Sequence, residues 1–292
     1  MTTNTTSDNI RSNDIAKWKG WDPERVLFLP FQDQNREDTQ QAVGGRRKKK
    51  KAQFACRLKY KHHDSRVSDN YIQMPPMYTD GFDADYNSLS LRMVGVDEPR
   101  SKLAQKHKQL YTKLERFNER CIEHISSESE KVFGKKMTSE QISKYFKRIA
   151  PRNPNTKAGG LWPPIMSVKP NRGTIEHQDG RSEYGEISEC YDFNGKSIDK
   201  NSIPKGLVTE IGKIHGLWVL SDSTENKPAV SVQNRFHIIR SEVNNKPITG
   251  FSQFAVESDD DSEPDTQEEQ QSAAQQESEE EYEDSESDDN EA

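Results

Sequence analysis

Residues 206–221 read GLVTEIGKIHGLWVLS, and residues 229–243 read AVSVQNRFHIIRSEV. Both stretches are rich in β-branched and aromatic residues, and a polar loop at 222–227 separates them. This pattern predicts two long strands that pair with each other. Gly212 and Gly216 interrupt the first stretch at positions where a bulge or a strong curvature is expected.

The segment QFACRLKYKH at 53–62 alternates between two kinds of side chain. A period of two is typical of a strand with one face toward the core and the other toward solvent. The apolar face carries Phe54, Cys56 and Leu58, and the basic face carries Arg57, Lys59 and Lys61.

Further extended stretches lie on both sides of a helical region. Residues 70–82 contain Pro75–Pro76, which predicts a bend or an edge strand, and an Asp80–Gly81 turn. The remaining predicted strands are SLSLRMV at 88–94, LWPPIMSVKP at 161–170, and EYGEISECYDF at 183–193, which ends at an Asn194–Gly195 turn.

The period changes between Lys102 and Ile125, where apolar residues recur mostly every three or four positions. This spacing predicts an amphipathic helix with a charged outer face. Thr138 and Gln141 form a capping-box pattern that predicts a second helix, which ends before Pro151. The apolar face of that second helix would carry Ile142, Tyr145, Phe146 and Ile149.

These elements predict one mainly β domain with a helical insert. About five or six strongly curved strands fit a small Greek-key barrel of the OB type, with a β-sandwich as the main rival. The expected organisation is a flexible N-terminal arm at 1–51, a body at 52–254 with its insert at about 99–150, and a disordered tail at 255–292. The arm contains one apolar island at 18–31, which would be an added strand or a docking peptide.

Charge is distributed very unevenly along the chain. Residues 257–292 contain 18 acidic and no basic residues, whereas residues 1–256 contain 42 basic and 31 acidic residues, a net charge of about +11. The tail repels itself and has almost nothing apolar to bury, so it is predicted to be disordered. We interpret it as a solubilising segment or as a mobile mimic of a nucleic-acid backbone.

A run of six basic residues precedes the first strand of the body. It would act as a nuclear-import signal, as an arm that contacts phosphates, or as a plain linker. The run consists of Arg46, Arg47, Lys48, Lys49, Lys50 and Lys51.

The sequence contains no motif of a known catalytic or cofactor site, so we expect no enzyme, no metal and no cofactor. Asp83 and Asp85 are interpreted as part of a turn rather than as metal ligands. The three cysteines lack metal-ligand spacing, which predicts reduced thiols in an intracellular protein. No apolar run approaches the ~18 residues of a membrane span, so we expect no membrane partner.

Aromatic and basic residues recur on the same predicted strands. Proteins that hold single-stranded nucleic acid use this mixture, because bases stack on aromatic rings while Lys and Arg neutralise the backbone. A core position is the alternative for Trp218, Phe236 and Trp162. The predicted contact residues are Arg57, Lys59, Tyr60, Lys61, Arg92, Lys169, Arg172, Lys213, Trp218, Arg235 and Phe236.

The order of several segments resembles the single-stranded DNA-binding proteins of large eukaryotic DNA viruses, which are similar to the phage T7 type. These segments are QMPPMYTDGFDADYNSLSLRM, LWPPIMSVKP, SECYDFNGK and HGLWVLSDSTENKPAVSVQNRFHIIRSEV, within residues 52–243. The resemblance implies an OB fold, sequence-tolerant binding of single strands, and an acidic tail that contacts replication proteins. The phage type ends its tail in an aromatic residue, whereas this chain ends in Glu291–Ala292, with Tyr282 as the tail's only aromatic residue.

The function predicted from the sequence is therefore non-enzymatic binding of single-stranded DNA in viral DNA replication or recombination. Its expected location is the host nucleus or a cytoplasmic viral replication site. Two alternatives remain open: an acidic-tailed chaperone for histones or other basic proteins, and a virion protein that coats DNA. The positive body favours the first function, because a chaperone that binds through its tail needs no basic groove. Replication proteins and a second copy in a homodimer are further expected partners, and the preference for DNA over RNA is open.

Overall fold

The structure, a computed structural model, describes residues 11–34, 53–154, 160–177, 179–220 and 228–242. The predicted basic run at 46–51 and the acidic tail at 255–292 lie outside these residues. The strands are β1 (Ile15–Lys17), β2 (Val26–Phe28), β3 (Gln32–Asp33), β4 (Gln53–Lys61), β5 (Val67–Asp69), β6 (Tyr71–Gln73), β7 (Met77–Asp83), β8 (Ser88–Arg92), β9 (Phe146–Lys147), β10 (Ile165–Pro170), β11 (Arg172–Glu176), β12 (Ser182–Glu186), β13 (Glu189–Tyr191), β14 (Gly206–Leu220) and β15 (Ala229–Ser241). The helices are α1 (Lys102–Ser127), α2 (Ser129–Phe133) and α3 (Ser139–Ser143).

Five strands close into a barrel. β7, β8, β10, β15 and β14 pair in that order, and the start of β14 pairs back to β7. In chain order this is 1-2-3-5-4, with β10 and β15 parallel and the other pairs antiparallel, which is the arrangement of the OB fold. Buried side chains fill its interior, among them Leu89, Leu91, Met166, Val208 and Phe236. The prediction of a mainly β barrel with a helical insert is confirmed.

The long β14–β15 pair extends beyond the barrel. β14 shifts register between Ile211 and Gly212 and again between Ile214 and Gly216, so the bulges lie at the two predicted glycines. At Gly216 a Cβ would lie 2.6 Å from the backbone oxygen of Cys56, so the close approach of β4 and β14 requires glycine there. Beyond this bulge, β4 and β9 flank the hairpin on either side.

Helix α1 covers the inner side of this extension. The Ser101 hydroxyl caps it by accepting from the Ala104 backbone N–H at 3.1 Å. Its apolar stripe is buried in the same core as the inward residues of β4 and β14, as the helical spacing predicts. The stripe consists of Leu110, Leu114, Phe117, Cys121 and Ile125.

The predicted second helix is wrong over its second half. The capping box at Thr138 is present, but α3 ends at Ser143. Phe146 and Lys147 instead form β9, parallel to Val230 and Ser231 of β15. Pairing with a long strand satisfies this backbone, and it buries Phe146 as a helix would have done, so tertiary contacts override the local pattern.

Two other expected elements also differ. Asp80 and Gly81 do not turn the chain but form a bulge within β7, where Gly81 has a φ of 98°. Residues 183–193 do not form one strand, because β12 and β13 are separated at Ser188. The Ser188 hydroxyl donates to the Phe236 carbonyl at 2.8 Å and fixes the break.

The apolar island of the predicted N-terminal arm belongs to the core. Trp18, Trp21 and Phe31 are almost completely buried. The Trp21 indole donates to the Asn70 side chain at 3.1 Å, and its ring packs edge-on against Phe117 of α1 at 5.9 Å. The folded body therefore begins before β4, earlier than the expected residue 52, and of the two readings of this island the added strand is the observed one.

Candidate nucleic-acid interface

Residues that are neighbours in sequence on a strand lie on opposite faces of the sheet. This alternation determines which of the predicted aromatic residues are buried and which are exposed. Tyr60 shares its face with Cys56 and Leu58 and is 2% exposed. Its hydroxyl accepts from the Asp22 backbone N–H at 3.1 Å. Phe236 is fully buried in the barrel, so neither ring is accessible for stacking.

The side chain of Trp218 lies on the face of the sheet that points away from the core. Its neighbours Leu217 and Val219 are buried, whereas Trp218 is only partly buried. The residues directly across from it are small: Ala55 on β4 and Ser231 on β15. The indole therefore stands on the outer face of the sheet without a large side chain opposite it on either neighbouring strand.

Basic and polar side chains surround Trp218 on this outer face. Arg57 and Gln233 both pair with Gly216, so each is a diagonal neighbour of Trp218, about 7–8 Å away between backbones. Lys147 pairs with Ser231 and so continues the Trp218 row. Arg57 and Lys147 are exposed.

A second row crosses the same face farther along β15. Lys169, Arg235 and Lys213 are direct cross-strand neighbours on β10, β15 and β14. Arg235 lies four positions after Ser231 on β15, which places this row about 13 Å from the Trp218 row. We call the two rows together the basic face, defined by Arg57, Lys147, Lys169, Trp218, Gln233 and Arg235.

Lys213 completes the second row but lies under the surface. It is 7% exposed, its ammonium lies 5.1 Å from the centre of the Tyr71 ring, and it donates to Asp69. Asp69 also accepts from Lys59 at 2.5 Å. Burial raises the pKa of the Asp69 carboxyl, but the hydrogen bonds from Lys213 and Lys59 outweigh it and lower the pKa overall. Both lysines are thus paired with the same half-buried carboxylate.

The field at the basic face is positive. His215, the extra residue of the second bulge, has its pKa lowered to about 4, first by burial and then by the charges of Lys213 and Arg235, with a further contribution from Arg57. Its imidazole is neutral at pH 7 as a result. Burial is the largest cause of this shift, and the neighbouring cations add to it, while Asp69 opposes it.

The other predicted contacts are neither direct nor diagonal cross-strand neighbours of the residues in these two rows. Lys61 is exposed at the end of β4, opposite Val67. Arg92 lies on β8 between Tyr78 and Ile165 and is paired with Asp80. Arg172 lies on the β11–β12 hairpin.

Sequence reasoning missed Lys147 and Gln233. The segment around Lys147 has a helical pattern, so the sequence does not predict a strand there. Lys147 lies on the basic face because it pairs with Ser231 of β15. Gln233 carries neither charge nor aromatic ring, but the alternation of β15 places it on the same face as Arg235. That alternation was the one available signal.

The described residues hold no group of three or more His, Cys, Asp or Glu side chains arranged to bind a metal. Within the same residues, no helix is both long enough and apolar enough to cross a membrane. Burial raises the pKa of the Cys56 thiol to about 12 and raises that of Cys121 as well, so neither is a reactive thiolate.

The fold and this face define a class of protein: an OB-type barrel with a basic outer face that presents a tryptophan. No known family and no curated protein matches the chain. Among solved structures, the crystal structure of gp2.5, a single-stranded DNA-binding protein encoded by bacteriophage T7, is similar over 66% of this chain and 97% of that one. The sequence identity is 11% and the TM-score 0.33, so the likeness is too weak to support an argument about this chain's fold or function.

Proposed function

We propose that this chain is a non-enzymatic protein that binds single-stranded DNA along the basic face. The observation that carries the proposal is the outward Trp218 between the small residues Ala55 and Ser231, with Arg57 diagonal to it and Lys147 one strand beyond Ser231 in the same row. A base stacks on the indole, and the cations neutralise the neighbouring phosphates. This combination is the one by which OB-type barrels hold single strands.

A single strand fits this face better than a duplex does. Stacking on a side chain requires a base whose flat face is free, and bases inside a duplex are stacked on one another. Base stacking also tolerates any sequence, because every base has a π face. We therefore expect little sequence preference.

The role in viral DNA replication or recombination is part of the proposal and is supported by the sequence resemblance alone. In this proposal the acidic tail, which lies outside the described residues, limits access to the basic face and recruits replication proteins. A polyanion tethered to a basic body competes with nucleic acid at a high effective concentration.

The test is a titration of the full-length chain against single-stranded DNA, duplex DNA and RNA of the same sequence at two salt concentrations. We expect the single strand to bind tightest, with an affinity that falls steeply as salt rises. Equal affinity for the duplex would favour the DNA-coating alternative. Binding to histones without binding to nucleic acid would favour the chaperone.

A further inference from the structure

The hairpin formed by β11 and β12, residues 172–186, stands apart from the main sheet. In the described part of the chain these two strands pair only with each other. Tyr184 on this hairpin is 70% exposed and belongs to no part of the core. A large aromatic side chain that folding does not use is available for recognition.

Tyr184 has a defined partner on its own face of the hairpin. Thr174 lies directly opposite it, and Arg172 is the diagonal neighbour. The Arg172 guanidinium carbon lies 6.0 Å from the centre of the Tyr184 ring. An exposed tyrosine beside an arginine is a surface on which a nucleobase stacks, with the cation adding to the attraction.

The base of the hairpin is fixed to the basic face. The Asn171 backbone N–H donates to the Phe236 carbonyl at 3.0 Å, and the Arg235 guanidinium donates to the Pro170 carbonyl at 3.0 Å. Thr174 is five residues beyond Lys169, so its backbone lies at most about 17 Å from the Lys169–Arg235 row, and Tyr184, directly opposite Thr174, lies at most about 5 Å farther. A strand that leaves the basic face at this row reaches Tyr184 within a few nucleotides.

The charge of the hairpin favours contact with a base of the bound DNA rather than with its phosphates. Asp179 pairs with Arg181 at 2.6 Å, Glu186 pairs with Lys200 at 2.6 Å, and Glu183 lies 3.4 Å from His177. Residues 172–186 carry four carboxylates, counting Glu176, against the two cations Arg172 and Arg181, so their net charge of −2 makes the hairpin a poor site for phosphates. A nucleobase, which is flat and uncharged, suits Tyr184.

We propose that Tyr184, supported by Arg172, stacks on a nucleobase of a strand whose backbone crosses the basic face. This inference rests on the proposed function and adds to it a second contact that acts through stacking rather than charge. The contact lies beyond the barrel, so only strands long enough to extend past the Lys169–Arg235 row make it.

The test measures the affinity of the full-length chain for oligothymidylates of about 4 to about 20 nucleotides, a span that covers the site sizes of OB folds. Y184A and Y184L should bind the longest strands at least about five-fold more weakly than wild type, and the shortest strands equally well. Y184F should bind like wild type, because the ring and not the hydroxyl stacks. The affinity of Y184A should be reduced by the same factor at low and at high salt, because no phosphate contact is removed.

F193L provides the matched control, since Phe193 is 45% exposed in another turn. It should leave the affinity unchanged at every length. Equal binding of wild type and Y184A at all lengths, or an equal loss in F193L, would overturn the inference while leaving the proposed function intact. Failure of wild type to bind any single strand would instead overturn the proposed function, and the inference with it.

Discussion

Trp218 and Ser231 face each other across the β14–β15 pair, with the indole on the side away from the core. The serine leaves room above the strand that a larger residue would fill. On the other side of Trp218, the residue opposite it on β4 is Ala55. The indole is thus flanked by a small side chain on each neighbouring strand.

Replacement of Trp218 by alanine should weaken binding of single-stranded DNA by about 1–3 kcal/mol, the usual contribution of one base stacked on an aromatic ring. Stability should change little, because the indole is only partly buried and faces away from α1. Titration with labelled oligonucleotides and thermal unfolding measure the two effects separately.

S231A is the matched control, since it alters the same row without removing a ring. It should bind like wild type. Unfolding of W218A at room temperature would mean that the indole is a core residue, and the stacking role would then be wrong.

The salt dependence of binding should identify the residues that contact phosphates. R57Q and K169Q each remove an exposed charge from the basic face, so each should reduce the slope of log affinity against log salt by about 0.7. R100Q is the control, because Arg100 is exposed, is not part of the basic face, and pairs with Glu98 just before α1. An unchanged slope in both R57Q and K169Q would place the strand elsewhere on the barrel.

The sequence predicted the barrel well because its strands carry their pattern locally. The bulges of β14 are predicted from its two glycines, and α1 is predicted from its apolar stripe, without any knowledge of tertiary contacts. The second half of the helix predicted after Thr138 failed because Phe146 is buried equally well in a helix or a strand, and only the edge of β15 decides between them.

The candidate site was less predictable, for a physical reason. Tyr60 and Phe236 were selected because basic residues precede them in sequence, yet a strand places adjacent residues on opposite faces. The period of two that predicted β4 already assigned Tyr60 to the apolar face with Cys56. Lys213 is on the outward side of its strand, but Tyr71 and Asp69 contact its ammonium and it is buried, and no local sequence pattern predicts those contacts.

Stability should fall as the pH rises from about 5 to 8, because of Glu210. This residue is fully buried, and neither carboxylate oxygen has a hydrogen-bond partner among the described residues. Burial raises the pKa of Glu210 to about 8. The native state therefore keeps a proton that the unfolded chain releases above about pH 4.5, so stability is fully present at low pH and is lost as the pH rises through 8.

The change should approach about 1.4 kcal/mol per pH unit within this window. E210Q should remove most of this slope and should be the more stable protein at pH 8, as measured by urea unfolding at several pH values. E119Q removes an exposed carboxylate and should retain the slope. A slope that persists in E210Q would show that another group is responsible.

Deletion of residues 257–292 should raise the affinity for single-stranded DNA, most strongly at low salt. The 18 acidic residues of this tail are then no longer tethered near the basic body, and their attraction to it is least screened at low ionic strength. A tail of equal length with its Asp and Glu changed to Asn and Gln should behave like the deletion. If neither variant binds more tightly at low salt, the tail does not compete with DNA.

Binding of single-stranded DNA should take up protons below pH 7, through His215. In the free protein burial and the charges of Lys213, Arg235 and Arg57 hold the pKa of His215 at about 4. A phosphate at the basic face adds negative charge beside the imidazole, and so raises the pKa of His215 in the complex. Affinity should therefore increase as the pH falls toward 4, and the increase should approach about ten-fold per unit of pKa shift only below the free-protein pKa of about 4.

H215Q should bind at pH 7 with nearly wild-type affinity, because the histidine is neutral there, and should lose the increase at pH 5. H63Q, which changes an exposed histidine in the turn after β4, is the matched control and should keep it. Calorimetry in two buffers of different ionisation enthalpy measures the proton uptake directly. A pH dependence that is identical in wild type and H215Q would show that no phosphate comes close to this imidazole. The bound DNA would then not cross the Lys213–Arg235 row.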